Sequence, residues 1–154
     1  MRVELASSET PASFLDGFVR IRNEAAHGAG SSLVSANEIL KYADFVVLIV
    51  DALAALLRTH LLRAGLTVNR SIPLGDVIHV FSRNVVGIRS SSNETINVGD
   101  ILYAGKKRLE PIAIISLRIL KDDHASIDLN PGFEFGAKLD RRVPAGSEVL
   151  RWLP

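Results

Sequence analysis

Arg22, Asn23 and His27 are the residues of this sequence whose types and spacing best suit chemistry. They stand in the string Arg22-Asn23-Glu24-Ala25-Ala26-His27, with Gly28 next. An imidazole titrates near neutral pH, so a histidine can carry a proton in either direction. A guanidinium presents a rigid fork to anionic oxygens. Asn23 precedes His27 by four residues and shares its helix face, where an amide can orient the ring. Arg22 lies about 140° around an ideal helix from His27. Two copies of the chain placed together let the arginine of one serve the histidine of the other. The set demands no metal and no cofactor.

Two helices must position these residues. Thr10-Pro11 reads as a helix start, with a hydroxyl for capping and proline in the first turn. Phe14, Leu15, Phe18, Val19, Arg22, Ala25 and Ala26 then recur at helical spacing, and Gly28-Ala29-Gly30 ends the run. Ser35-Ala36-Asn37-Glu38 matches a capping box, opening a helix over 36–64 that Gly65 stops. Residues 45–57 are apolar almost all round, broken by Asp51 and preceded by Asp44. A membrane span needs about 20 apolar residues, so the stretch reads as a helix buried in a bundle. Two helices cannot cover that surface. Either a second copy completes the bundle, as a homodimer through 45–62, or helices upstream of Met1 do.

The helix, the Arg-Asn-x-x-x-His-Gly string, the polar loop and the apolar helix resemble the later half of a HEPN domain, over residues 14–62. Within that superfamily the spacing is closest to bacterial groups associated with defence and toxin loci. The resemblance implies a metal-independent RNA endonuclease, with an antitoxin as a further partner. A ribose 2′-hydroxyl attacks the adjacent phosphate, His27 serves as general base or acid, and Arg22 holds the phosphorane oxygens. Asn23 orients the imidazole. A full HEPN bundle has further helices ahead of the motif, and this sequence does not contain them. The other reading is a non-catalytic RNA-binding or assembly module.

From about residue 71 the periodicity changes to that of strands, at 77–81, 85–88, 101–103, 112–120, 127–129, 133–139 and 149–152. Three turns place a glycine before a polar residue that opens a strand, at Gly75-Asp76, Gly99-Asp100 and Gly146-Ser147. Short strands with no helix between them point to a closed barrel, which removes sheet edges. The segments Asn97-Val98-Gly99-Asp100, Phe135-Gly136-Ala137-Lys138 and Pro144-Ala145-Gly146-Ser147 resemble the second domain of elongation factor Tu and related translation-factor barrels. Such barrels contact RNA or neighbouring domains.

Lys106, Lys107, Arg108, Arg141 and Arg142 mark two loops suited to phosphate contact. Asp122-Asp123-His124 reads as a solvated hairpin tip and His79 as a half-buried sheet residue. Net charge is +1, with seven basic against seven acidic residues up to Arg70 and eleven against ten beyond. Non-specific binding through many phosphate contacts is thereby disfavoured, while a local site is not. The chain has no cysteine, which excludes disulfides and thiolate chemistry, and its first 13 residues lack the apolar core of a signal peptide. The expected protein is cytoplasmic and α+β: an antiparallel helix pair (1–65), a linker (66–73) and a small antiparallel β-barrel (74–154).

Overall fold

The computed structural model describes residues 10–27 and 35–153. Among them, two helices precede nine strands, six of which close into an antiparallel barrel, an α+β architecture. The chain divides into two compact units, Met1–Leu53 and Ala54–Pro154.

Helix α1 (Pro11–Ala26) begins where the sequence predicts. Thr10 Oγ1 accepts the Ser13 amide at 3.1 Å, and Ser13 Oγ accepts the Thr10 amide at 3.0 Å. The expected Gly28-Ala29-Gly30 stop lies outside the described residues. Helix α2 (Ala36–Thr67) opens on the expected capping box. The Glu38 amide donates to Ser35 Oγ at 3.2 Å, and the Glu38 carboxylate accepts the Ser35 amide at 2.9 Å and its hydroxyl at 2.8 Å. The Ser35 amide, then its hydroxyl, hold the Glu38 carboxyl below its ordinary pKa. The Phe14 ring meets Tyr42 and Phe45 at 4.8 and 4.6 Å, and Phe18 meets Tyr42 at 5.6 Å. Contacts that advance along α1 retreat along α2, so this pair is antiparallel.

Gly65 does not stop α2, which continues to Thr67. Its lack of a side chain serves packing instead. A Cβ there would lie 2.5 Å from Ser71 Oγ and 2.9 Å from the Trp152 ring. The turn after the helix is made by Asn69, at φ 56°, a left-handed position that asparagine tolerates. The expected linker at 66–73 is thus the last turn of α2 and the start of the first strand.

The strands are β1 (Ser71–Ser82), β2 (Val85–Ser90), β3 (Thr95–Asn97), β4 (Ile101–Gly105), β5 (Glu110–Ile119), β6 (Asp122–His124), β7 (Ser126–Asp128), β8 (Glu134–Leu139) and β9 (Glu148–Trp152). The barrel runs β1-β2-β8-β5-β4-β9 and closes on β1. β3 pairs with β7, and β6 folds back on β5 outside the ring. Asp122–His124 is a short strand directly after the hairpin turn; Asp122 and Asp123 are solvated as expected, and Asp123 is ion-paired to Arg118 at 2.8 Å. Gly99 and Gly146 take φ of 94° and 74°, as the turn pattern requires, whereas Gly75-Asp76 is no turn but lies inside β1, at a register shift against β9. Leu74, Val77, Ile88, Leu117, Leu139 and Val149 fill the barrel with at most 2% exposure. Each such side chain stabilises the fold by roughly 1.5–3 kcal/mol relative to water. A second cluster of Leu62, Leu109 and Leu150 seats the last turns of α2 on the barrel wall.

Candidate functional site

The loops singled out for their charge converge. Lys106, Lys107 and Arg108 follow β4, Arg141 and Arg142 follow β8, and all five are exposed around one hollow of about 390 Å³. Ala104, Ile112, Val143 and Pro144 form its apolar floor. Gly105 makes the first loop feasible, since a Cβ there would fall 1.8 Å from the Arg108 carbonyl oxygen.

The end of α2 holds this loop in place. Thr59 Oγ1 accepts the buried Leu109 amide at 2.9 Å, and Arg63 donates to the Lys106 carbonyl at 2.9 Å. Glu110 pairs with both Arg58 and Arg108 at 3.3 Å. Arg63 itself is paired with Glu148. The second loop is pinned by Asp140, whose carboxylate accepts the Ala113 amide at 3.0 Å and pairs with Arg141 at 3.4 Å. Burial pushes the Asp140 carboxyl up, but the Ala113 amide and the Arg141 guanidinium outweigh it and hold the group below its ordinary pKa. Among the described residues, Lys106, Lys107 and Arg142 form no ion pair. The hollow therefore offers three uncompensated cations, an arrangement that fits phosphate oxygens.

The triplet expected to carry chemistry is placed differently. Arg22, Asn23 and His27 are all exposed at the C-terminal end of α1, outside any cavity found among the described residues. Asn23 Oδ1 accepts a hydrogen bond from Arg22 at 3.0 Å, so its partner is the arginine and not the imidazole. The His27 amide donates to the Asn23 carbonyl at 3.0 Å, closing the helix.

A third feature escaped sequence reasoning. A groove of about 680 Å³ crosses the outer face of β1, β2, β8 and β5. Its floor includes Gly87 and Gly136, which are direct cross-strand partners. On one side stand His79 and Phe81, with ring centroids 4.5 Å apart, and on the other Arg118 and Leu120. Phe81 is 67% exposed. His79 is exposed, not half-buried as expected, because β1 shifts register between Val77 and His79 and turns two successive side chains outward. The groove can accept a flat ring over glycine, with Lys138 supplying charge.

No protein-family model matches the chain, and no curated protein matches it either.

Proposed function

We propose that this chain is an RNA-binding module that grips the phosphate backbone in the basic hollow. The observation that carries the reading is the convergence of Lys106, Lys107, Arg108, Arg141 and Arg142, from loops more than thirty residues apart, on one side of the barrel. Two carboxylates, Glu110 and Asp140, offset part of that charge and also orient the loops. Three cations are left for phosphate, a local footprint that the near-zero net charge of the whole chain does not reveal. The exposed His79–Phe81 pair adds a stacking face for unpaired bases, which favours single-stranded RNA.

The test is anisotropy titration of a single-stranded RNA with wild type and Lys107→Glu/Arg142→Glu. The variant should lose at least about tenfold in affinity, and the salt slope should fall by about 1.4, two phosphate contacts on a single strand. Binding unchanged in the variant would overturn the assignment.

A second reading is the HEPN-type metal-independent ribonuclease of a toxin or defence system, with Arg22 and His27 as its catalytic groups. It is favoured by one observation: Arg22 extends the exposed row Leu15–Val19 on α1 by the next step of a heptad, so an assembly closing over that row gathers Arg22 from two copies. RNA cleavage in EDTA that disappears in His27→Ala would establish it.

A further inference from the structure

We infer that a second copy of this chain docks along the outward row of α2, joining two helix hairpins in a four-helix dimer. Helix α2 carries two apolar rows. The first, through Phe45, Leu48, Ala55, Thr59, Leu62 and Leu66, advances in steps of three, four or seven and is buried or half-buried by the chain's own residues. The second runs through Ile39, Ala43, Val46, Val50, Leu53 and Leu57 in steps of four, three, four, three, four. At heptad spacing the two rows lie on opposite sides of the helix.

The outward row is exposed along its length. Ile39, Val50, Leu53 and Leu57 are 52–58% exposed, and Leu40, Val47 and Leu61 widen the stripe. A strict seven-residue repeat drifts around a straight helix by about 20° per heptad, so it is suited to wrapping against another helix. Eight large apolar side chains of the row and its flanks are 38–62% exposed, a contiguous stripe of the kind that marks an interface, and a stable interface takes roughly 800 Å² from each partner. On α1, Leu15 and Val19 are 42% and 45% exposed and supply the remaining apolar surface.

Lipid is the competing occupant, because α2 is long and apolar enough to cross a membrane by length and composition. The geometry argues against it. Ala55, Thr59 and Leu62 are buried in the barrel unit, which leaves residues 36–53 for a span. Those 18 residues contain Glu38, Lys41, Asp44 and Asp51, each costly in a bilayer core. A partner with the same row needs no such cost. Phe45 and Leu62, the ends of the interface expected from sequence, face their own chain, so the seam lies on the other side of the helix.

The experiment is light scattering of wild type, Val50→Glu/Leu57→Glu and Val50→Ile/Leu57→Ile at about 50 µM without detergent, with vesicle flotation of the wild type. Both altered positions are exposed, and Trp152 emission reports that the barrel is intact. The expected result is twice the 16.7 kDa chain mass for wild type and the Ile variant, and half of that for the Glu variant. A monomeric wild type, a Glu variant that keeps the dimer mass, or flotation with vesicles would each overturn the inference. None of these readouts depends on RNA binding.

Discussion

The Thr59 hydroxyl is a relay between Ala55 and Leu109: it donates to the Ala55 carbonyl at 2.8 Å and accepts the Leu109 amide at 2.9 Å. Both Thr59 and Leu109 are buried, at 5% and 0% exposure. Thr59→Val keeps the shape and removes the acceptor, leaving a buried amide unsatisfied at about 1–3 kcal/mol. Thr59→Ser should stay within about 1 kcal/mol of wild type. Urea midpoints of the two variants decide it, and RNA affinity should fall in Val alone, because Leu109 anchors the cationic loop.

Gly65 sets two effects against each other. Alanine raises helix propensity by about 1 kcal/mol. Its Cβ, however, meets the buried Ser71 Oγ at 2.5 Å and the partly exposed Trp152 ring at 2.9 Å. Overpacking of this kind costs about 1–3 kcal/mol, so Gly65→Ala should destabilise the protein and shift Trp152 emission. Adding Ser71→Gly removes the nearer clash and should recover part of the loss. A stabilised Gly65→Ala would mean that the helix end yields easily.

The features readable from sequence are those carried by neighbours in the chain. The Thr10–Ser13 and Ser35–Glu38 caps span three residues each, and the turns at Gly99 and Gly146 depend on one φ apiece. β3 and β6 have three residues and no pattern of their own; β3 exists through partners such as Asp128 opposite Thr95. His79 follows alternation until a register shift resets it. The five cations could be picked out by charge, but their convergence depends on barrel closure through the β4–β5 pairing. The Asn23 amide could be placed on the face of His27, yet its pairing with Arg22 reflects a rotamer choice that spacing does not encode.

Leu120 stores strain at the tip of the β5–β6 hairpin. The strand expected to run through 120 ends at Ile119, and Leu120 turns at φ 55° with 95% of its surface exposed. A left-handed conformation costs most residues about 1–2 kcal/mol, and glycine or asparagine much less. Leu120→Asn should therefore raise stability by about 1 kcal/mol in a chemical melt. Because Leu120 also walls the Phe81 groove, the same variant should weaken binding of an unpaired base there. A variant less stable than wild type would show that Leu120 packs better than its exposure indicates.

Asp140 makes the stability of the cationic loop depend on pH. Its amide donates to the Ala113 carbonyl while its carboxylate accepts the Ala113 amide, both at 3.0 Å. Burial raises its carboxyl, the Ala113 amide and Arg141 lower it, and the lowering wins. A group whose folded pKa is depressed contributes stability that is present above its unfolded value, near 3.9 for aspartate, and is lost as pH falls through the folded value. Asp140→Asn keeps an acceptor for the Ala113 amide but cannot titrate. Its loss of stability relative to wild type should be constant from pH 6 to 8 and shrink below about pH 4, where the wild-type carboxyl protonates. Urea midpoints measured from about pH 3 to pH 8 give the comparison. A difference that persists unchanged at the acid end would show that the charge of Asp140 does not hold the loop.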